Sequence, residues 1–553
     1  MNLDKKPKRS LVMEEGISVR RMVKLGEPFI WLAGAASALV LFMILLLLAI
    51  VVFEGTSFFW PRDVQKFSLK DGSVMAGVIR DRERYEEKDD NGKVLSVTPR
   101  IQLMTANRDL TSKDFVWVDE SDVVKRERPA DVLYVERREW GPLIGWASSL
   151  EAEGQAYAAD SAGFDRRLQK GIKEGAKRWK ALHHLENEEV GRINFEIERI
   201  RLKLRQASAE EKSALDAETA LWQSRYTTVT GQIQALRSED ERFKVTFKSA
   251  EGAEKTLAFS QLVRVLEPNR MGFFGKAGAY LSRVVEFIFG EPRESNTEGG
   301  VFPAIFGTVM MTLLMSLLVV PFGVVAALYL REYAKQGPLV SVVRIAVNNL
   351  AGVPSIVFGV FGLGFFVYGL GSSIDRIFFA EALPTPTYGT GGILWASLTL
   401  ALLTVPVVVV ATEEALAFVP KGLRDGSLAC GATKWQTIRH VVLPSAAPGI
   451  LTGMILAMAR GAGEVAPLMI TGVVKLAPNL PFDTRFPFMH LDRKFMHLGF
   501  HIYDVGFQSP NVEAAMPMVY TTTLLLIAVV VGLNLAAMVI RNRLRNRYRT
   551  SGF

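Results

Sequence analysis

Six stretches of this sequence are long and apolar enough to cross a lipid bilayer, and they constrain the fold more than any other feature. They lie at 29–53, 301–330, 345–370, 392–418, 447–474 and 517–540. A helix rises about 1.5 Å per residue, so about 20 residues cross a hydrocarbon core of roughly 30 Å. Because lipid offers the backbone no hydrogen-bond partner, these runs must be helical, and the sequence predicts an α-helical polytopic membrane protein.

The first run, Phe29–Phe53, predicts a retained membrane helix rather than a cleaved signal peptide. A signal peptide has an apolar region of about 7–15 residues followed by small residues at its cleavage site. Here the run is longer, and the sequence FEGTSFFW follows it. Seven Lys and Arg residues precede it in the tail 1–28, so the positive-inside rule places that tail in the cytoplasm.

The charge pattern of the loops supports six crossings. Alternation from an internal N-terminus places the loops around 331–344 and 421–439 and the tail 541–553 inside, and all three are basic. We therefore expect a multi-pass membrane protein with both termini in the cytoplasm. Membrane lipid, rather than nucleic acid, is the expected partner of the basic residues that give the net charge of +8. The single cysteine, Cys430, allows no intrachain disulfide.

Residues 54–300 separate the first and second runs and predict an extracytoplasmic α+β insertion. Short β-branched and aromatic runs between polar turns flank it, as in KFSLKDGSVMAGVI and RFKVTFK. Its middle, about 165–238, carries apolar residues at coiled-coil-like spacing on both sides of a break at QASAE. This pattern predicts an antiparallel helical hairpin that projects about 45 Å. It serves either to bind a partner or only to pack its two helices together.

A loop at about 419–444 follows the fourth run and predicts a helix–turn–helix on the inner face of the membrane. Apolar residues recur at helical spacing on both sides of Gly431, where the chain needs a residue that tolerates a left-handed turn. Pro444 is suited to begin the next helix, because a missing N–H is harmless in a first turn.

This loop resembles the coupling motif of ABC importer permeases, which reads EAA, three residues, G, nine residues, I-x-L-P. The motif positions fall on Asp425, Gly426, Ser427, Gly431, Leu443 and Pro444. Four further stretches, EGGVFPAIFGTVMMTLL, NLAGVPSIVFGVFGLGFF, ATEEALAFVPKGLRD and GEVAPLMITG, resemble the phosphate-specific importer, and HLGFHIYDVGFQSP resembles its PstA-type subunit more than its PstC-type partner. The resemblance is strong over 299–547 and does not include 54–298.

The resemblance implies a permease fold of the type I importer class in residues 301–540, and it implies several partners. These are a homologous permease (PstC-like), ATPase subunits (PstB-like) that dock at the loop around Gly431, and a periplasmic phosphate-binding protein (PstS-like). The sequence has no G-x-x-x-x-G-K-[ST] string, and GFFGKAG fails at both ends. We therefore expect no enzyme activity and no cofactor on this chain, with ATP bound by the partner.

Two opposite charges, Arg460 and Glu464, interrupt the fifth apolar run. A charge at mid-membrane costs at least about 2.5–3.5 kcal/mol if it faces lipid, so the pair must face the bundle or a wet cavity. A guanidinium suits a tetrahedral oxyanion through forked hydrogen bonds. We predict that the pair lines a substrate pathway, and the alternative is an ion pair between helices. Candidates for further neutral donors are Thr308, Thr312, Asn348, Asn349 and Ser355, and taken singly each is more typical of a hydrogen bond that packs helices.

The sequence leaves three functions open. The leading interpretation is a phosphate permease that forms half of a translocation pathway. The second is the same type of ATP-driven importer with a different substrate, which would be sulfate, molybdate or another oxyanion. A third is a membrane-anchored sensor or scaffold that works through its periplasmic coiled-coil arm.

Overall fold

The computed structural model describes residues 27–88, 94–205, 207–293, 296–483, 486–509 and 512–549. The predicted cytoplasmic tail 1–28 lies almost wholly outside these ranges, as does the end of the basic tail 541–553. Within the described ranges, six helices are long and apolar enough to cross a membrane. The prediction of a six-helix polytopic protein with an inserted α+β region is confirmed.

The first membrane helix, α1 (Glu27–Ser57), stands at the edge of the bundle and is exposed along most of its length. It contacts the last membrane helix near its C-terminal end, where Thr521 donates a hydrogen bond to the Gly55 carbonyl at 3.0 Å. The apolar side chains that remain uncovered are those that lipid would surround.

The insertion that follows contains two large antiparallel sheets within its described residues, and a third sheet of two short strands, Pro292–Arg293 and Glu298–Gly299. The first has the order β4-β3-β2-β1-β5 and the second β10-β9-β7-β6-β11, with β8 paired to β7. The strands are β1 (Gln65–Leu69), β2 (Val74–Lys88), β3 (Val94–Met104), β4 (Phe115–Asp119), β5 (Val123–Glu127), β6 (Leu133–Arg137), β7 (Leu143–Ala152), β8 (Gln155–Ala158), β9 (Phe243–Lys248), β10 (Glu254–Ala258) and β11 (Leu262–Leu266).

The two large sheets form one domain because they share a buried core. Val78 on β2 packs in the same cluster as Ile144 on β7, together with Val64 and Val132 from the connections. The face of the second sheet also receives Phe164, Leu168 and Ile172 from the first helix of the hairpin. The hairpin is therefore rooted in the sheet rather than attached by a flexible linker.

The hairpin has two long arms that run antiparallel. One consists of α2 (Phe164–His183), a π-helical stretch and α3 (Val190–Leu204), and the other is α4 (Ala209–Asp240). Ser208 begins α4 with a capping box, in which the Glu211 carboxylate accepts from the Ser208 N–H at 2.9 Å. Ile193, Ile200 and Val229 are buried along the arms. The break therefore falls where the sequence predicts it.

The tip of the hairpin does not project freely, and this corrects the predicted extended arm. Arg205 Nη1 donates hydrogen bonds to the carbonyl oxygens of Glu381 (2.6 Å) and Leu383 (2.9 Å). These two residues belong to the loop between the third and fourth membrane helices. The hairpin thus reaches across one face of the membrane bundle, and the insertion and that loop lie on the same side.

We expect Arg205→Ala to release the tip of the hairpin, because it removes both hydrogen bonds to the loop. The measurement is the distance distribution between spin labels at positions 203 and 382, with Cys430→Ser as the background. It should broaden and shift outward in the variant. Arg201→Ala is the matched control, since Arg201 pairs with Glu198 on its own helix. Equal distributions in the two variants would contradict the contact.

Near its end the insertion contains an amphipathic helix, α5 (Phe273–Phe289), which the sequence analysis did not predict. Its GFFGKAG start is the string that resembles a nucleotide-binding loop, and here it opens a helix. Lys276 pairs with Asp63 at 2.5 Å, whereas Phe274 is 88% exposed beside exposed Leu281 and Phe289. One face therefore packs on the domain while the other is suited to the lipid interface.

The remaining helices form the membrane bundle. They are α6 (Phe302–Leu328), α7 (Pro338–Leu350), α8 (Ser355–Phe378), α9 (Ile393–Ala417), α10 (Lys421–Ala429), α11 (Lys434–Gly461), α12 (Ala466–Thr471), α13 (Leu498–Tyr503) and α14 (Val512–Arg549). The central core joins α6, α9 and α11, with Met311, Leu400 and Ala457 among its buried residues.

The third apolar run is interrupted, which corrects the predicted helix over 345–370. Residues up to Leu350 belong to the short helix α7, and α8 begins at Ser355. Pro354 disfavours helical backbone in the residue before it and donates no N–H, so the helix restarts there. The membrane-crossing segment consequently extends to Phe378.

Candidate functional site

The predicted site lies at a break in the fifth membrane helix. The sequence predicts one continuous helix over 447–474 with Arg460 and Glu464 on the same face. Instead α11 ends at Gly461, and α12 begins only at Ala466. Gly461 and Gly463 weaken the helix, and Pro467 offers no N–H to continue it. Glu464 therefore lies in the connection and not on the helix.

The break is at the middle of the bundle. Gly461 packs against the side chain of Met315, which lies halfway along α6. A Cβ atom on Gly453, two turns earlier, would lie 2.6 Å from the Ala411 Cβ of α9. The glycines thus bring α11 against its neighbours and place Arg460 at the middle of the bundle.

Arg460 and Glu464 are close in the structure and remain accessible. Arg460 Nε lies 3.8 Å from Glu464 Oε1, within ion-pair range but beyond a normal hydrogen bond. Their side chains are 34% and 21% exposed. The guanidinium is therefore not locked in a tight forked pair and retains donors for another acceptor. This geometry is compatible with the predicted pathway role.

The other predicted donors fare differently. Thr308 is fully buried, donates to the Ala304 carbonyl at 2.7 Å and accepts from the Leu498 N–H at 2.9 Å. Its hydroxyl hydrogen is therefore held within α6, and its hydroxyl oxygen joins α6 to the start of α13. Ser355 is half-buried in the first turn of α8, one turn before Gly359, which contacts Pro467 of α12. Ser355 thus lies near the segment that follows the break.

The predicted coupling loop forms two short helical stretches joined by a tight turn. Helix α10 ends in a Schellman motif, in which the Gly431 N–H donates to the Leu428 carbonyl (2.9 Å) and the Ala432 N–H to the Ser427 carbonyl (3.2 Å). Gly431 has φ +88°, the left-handed conformation that the sequence predicts for it. Asp425 and Gly426 lie within α10, so the predicted helix forms despite the glycine.

Pro444 lies in the first turn of the α-helical stretch Leu443–Gly461, as the sequence predicts, but this stretch continues without a break from an earlier helical turn. Helix α11 begins at Lys434, after Thr433, whose hydroxyl accepts from the Gln436 N–H at 3.3 Å. A π-helical turn over Ile438–Val442 precedes Leu443 and Pro444. Such a turn accommodates the missing N–H of a proline within a continuing helix. The loop is therefore rigidly continuous with the helix that carries Arg460.

A residue that the sequence analysis missed, Glu332, ties this loop to α6. Arg424 donates to Glu332 Oε1 at 2.6 Å and to the Leu416 carbonyl at 2.6 Å, and Lys434 Nζ donates to the Glu332 carbonyl. The loop thus contacts the ends of both α6 and α9. The sequence offered one signal for this contact: Glu332 is an acidic residue that closely follows the second apolar run, 301–330.

The loop also presents apolar side chains to solvent. Phe418 is 85% exposed, and Leu423, Leu428 and Trp435 are about half exposed. Large exposed apolar groups of this kind, rimmed by charges such as Lys421 and Arg439, are typical of a protein–protein interface.

A second polar cluster lies in the segment between α12 and α14, and the insertion contacts it through Asn296, whose amide donates to the Lys475 carbonyl at 2.7 Å. His497 Nδ1 accepts from the Gly499 N–H at 3.1 Å, and Lys475 pairs with Asp504 at 3.1 Å. Burial lowers the pKa of His497 to about 3 and that of His501 to about 4. Lys475 further opposes protonation of His501. Both imidazoles are therefore neutral at physiological pH.

We expect the protein to lose stability as pH falls below about 6.5. Below that pH the histidines take up protons in the unfolded state but stay neutral in the folded state. At pH 5 each of the two therefore lowers the free energy of unfolding by about 2 kcal/mol. The thermal midpoint of the solubilised chain should be flat above pH 7 and fall below 6.5. His501→Gln should reduce the slope, whereas His184→Gln, at an exposed site, should not. A midpoint independent of pH would contradict this.

Comparison with known proteins places these features in a family. The sequence model described as "Binding-protein-dependent transport system inner membrane component" matches residues 319–550. The chain is 36% identical over 238 residues to "Phosphate transport system permease protein PstA" of Mycobacterium leprae, which corresponds to 43% of this chain and 69% of that protein. The chain belongs to this family of permeases.

Other relatives agree with that assignment. The PstA 1 protein of Mycobacterium tuberculosis is 36% identical over 244 residues, 44% of this chain and 71% of that protein. For the probable ABC transporter permease protein YqgH of Bacillus subtilis, the identity is 36% over 195 residues, 35% of this chain and 59% of that protein. The chain thus covers between 59% and 71% of the length of these three relatives.

Among solved structures, the MetNI methionine ABC transporter in an inward-facing conformation is similar at 20% identity and a TM-score of 0.32. The match includes 44% of this permease chain and 94% of the other chain. A bacterial ABC transporter that imports alginate is similar at 15% identity and a TM-score of 0.34, over 49% of this chain and 84% of that one.

Proposed function

We propose that this permease imports phosphate and forms half of the translocation pathway of an ATP-driven importer. The observation that carries the proposal is the accessible Arg460–Glu464 pair in a helix break at mid-depth of the bundle. A loosely paired guanidinium attracts an oxyanion, and the nearby carboxylate keeps the binding weak enough for release. Two relatives named as phosphate transport permeases favour phosphate over other oxyanions.

A broken membrane helix suits this role for a physical reason. Where a helix is interrupted inside a membrane, its freed backbone groups are tolerated if they line a cavity or pack against protein. The 21–34% exposure of the pair, measured on one subunit, leaves a face that a second permease would cover. A homologous, PstC-like subunit would close the other half of the pathway.

The coupling loop is the proposed docking surface for separate, PstB-like ATPase subunits. Its exposed apolar patch supplies the contact area, and the Arg424–Glu332 pair and the continuous helix α11 would transmit its movement. ATP would bind on the partner, and this chain would hold no cofactor. A periplasmic, PstS-like binding protein would deliver the anion to the side that carries the insertion.

This assignment fixes the proposed orientation in a bacterial inner membrane. The coupling loop faces the cytoplasm with both termini, and the insertion faces the periplasm. The contact between Arg205 and the α8–α9 loop agrees with an even number of crossings between them.

Uptake in reconstituted vesicles tests the cargo. Proteoliposomes that contain the copurified complex, internal ATP and an external binding protein should accumulate labelled phosphate. In the presence of a 100-fold excess of sulfate or molybdate, the rate of phosphate uptake should stay within about twofold of the rate without competitor. Strong inhibition by either competitor would assign the permease to that anion, and absence of any ATP-dependent uptake would reject the importer.

A further inference from the structure

A cavity lies where the insertion meets the membrane bundle, away from the Arg460 site. Its volume is about 190 Å³, more than ten times the minimum that one water molecule requires. Its walls include Phe58 and Phe59 at the end of α1, Arg283 on α5, and Arg80 and Tyr134 from the two sheets. It therefore lies at the level where the domain meets the membrane surface.

Arg80 differs from the other charged residues of this cavity because it has no carboxylate partner among the described residues. Its Nη2 donates to the thioether sulfur of Met104 at 3.5 Å, and its buried Nε has no hydrogen-bond partner. A thioether is a weak acceptor, so the guanidinium is nearly unsatisfied. Burial lowers the pKa of Arg80 below its usual value, and Arg62 and Arg283 add to that effect.

The neighbouring arginines are engaged. Arg283 donates to Glu136 Oε1 at 2.6 Å and to the Phe59 carbonyl at 3.1 Å. Arg293 pairs with Glu286 at 2.9 Å, and Arg264 bridges Glu136 and Glu286. Arg108 lies 4.0 Å from Asp114.

The cavity and its network carry an excess of positive charge. The wall itself is neutral, since it holds four arginines and four carboxylates: Arg80, Arg108, Arg283 and Arg293 against Asp114, Glu136, Glu286 and Glu298. The excess of one positive charge comes from Arg264, which lies outside the wall and bridges Glu136 and Glu286. Arg80 as a whole is half-buried, but its Nε is buried without a partner, so an anion from outside this chain would complete its hydrogen bonds.

Tyr134 adds a neutral donor to the same cavity. Burial raises the pKa of its hydroxyl to about 12; Arg283 opposes this rise, and Glu298 and Glu136 contribute to it. The hydroxyl therefore stays protonated and can donate a hydrogen bond. A forked guanidinium beside a hydroxyl donor is an arrangement that recognises tetrahedral oxyanions.

We propose that this cavity binds a phosphate-class oxyanion, held by Arg80 and Tyr134, at a site separate from the translocation pathway. Two sources share that chemistry: free inorganic phosphate and the phosphate group of a lipid headgroup. The geometry fits a lipid headgroup because α1 ends at the cavity and α5 presents exposed phenylalanines at the same membrane interface. The site does not depend on what the permease transports.

Binding of labelled phosphate and of lipid to the purified complex tests the proposal. The full chain carries Arg460→Ala in every sample, so that the pathway site does not contribute. Arg80→Met removes the charge and keeps the length of the side chain. Arg82→Met is the matched control, since Arg82 lies on the same strand and is exposed. Equilibrium dialysis measures phosphate after delipidation, and native mass spectrometry measures retained phospholipid before it.

We expect one bound phosphate or one retained phospholipid per chain, weakened at least about tenfold by Arg80→Met and unchanged by Arg82→Met. Retention of lipid alone identifies the headgroup as the ligand, and phosphate binding after delipidation identifies the free anion. If neither binds, or if both variants behave alike, the proposal is wrong.

Should Arg80→Met fail to fold, a second measurement uses the chain with Arg80 intact. The thermal midpoint of that complex is compared in phosphate and in chloride at equal ionic strength. A midpoint that phosphate does not raise, in a complex that retains no phospholipid, overturns the proposal. Uptake is measured separately, so loss of this site leaves the importer assignment intact.

Discussion

Arg460→Ala should remove most phosphate uptake, with a decrease of at least about tenfold in the initial rate. The guanidinium is the cationic donor at the helix break, and a charge-assisted forked contact contributes about 1.5–3 kcal/mol that alanine cannot replace. The substitution also leaves Glu464 unpaired, and its charge then repels an oxyanion. The measurement is ATP-dependent uptake of labelled phosphate into proteoliposomes.

Two further variants make this result interpretable. Arg376→Ala is the matched control, because Arg376 is exposed at the end of α8 and should leave uptake within about twofold. Glu464→Gln keeps the shape of the side chain and removes its charge. The anion should then bind more tightly and leave more slowly, so that KM and the maximal rate both fall.

The outcome separates the pathway role from a structural one. If Arg460→Ala assembles with the ATPase but loses most of its phosphate uptake, the pathway role is supported. If the variant fails to assemble, the pair holds the helices together, which is the alternative that the sequence leaves open. Normal uptake would refute the proposal. Copurification of the ATPase with the variant therefore accompanies every uptake measurement.

The sequence predicts the membrane part of this fold well because hydropathy alone determines it. Six apolar runs correspond to six helices, and the run at 392–418 matches α9 within one residue at each end. The two large errors, at Pro354 and after Gly461, share one cause. Proline and glycine are tolerated inside membrane helices when neighbours satisfy the backbone, so their presence does not reveal whether a helix continues or stops.

Side-chain roles were harder to predict than helices because they depend on contacts distant in sequence. The hydroxyl of Thr308 is chemically able to bind a ligand. In the structure it instead accepts a hydrogen bond from the N–H of Leu498, which lies 190 positions away in the sequence. Glu332 acquires its role only when the loop around Arg424 folds back against it. Gly431 was predictable because a left-handed turn is a local property of the backbone.

The insertion shows the same limit. Its strands and the hairpin follow from alternation and heptad-like spacing. The contact of Arg205 with the α8–α9 loop, and the convergence of Arg80 with residues from α5 and β6, arise from tertiary packing that no local pattern encodes. The predicted hairpin is therefore present, but its tip rests on the membrane bundle.

Gly431→Val should uncouple the permease from its ATPase and reduce phosphate uptake at least about tenfold. The residue at position 431 has φ +88°, which costs an L residue about 1–2 kcal/mol and a β-branched residue more. The turn would shift, and the two hydrogen bonds of the Schellman motif that end α10 would be lost. The ATPase rate of the reconstituted complex, with and without the binding protein, measures the coupling directly.

Gly431→Asn distinguishes backbone strain from a simple loss of space. A Cβ atom at this position meets no atom within 4 Å, so neither side chain clashes with the chain itself. Asparagine adopts the left-handed conformation far more readily than valine and should retain most of the uptake. Equal impairment of both variants would point to a docking contact with the ATPase instead. Wild-type uptake with valine, combined with loss of a signalling phenotype, would favour the sensor or scaffold over the transporter.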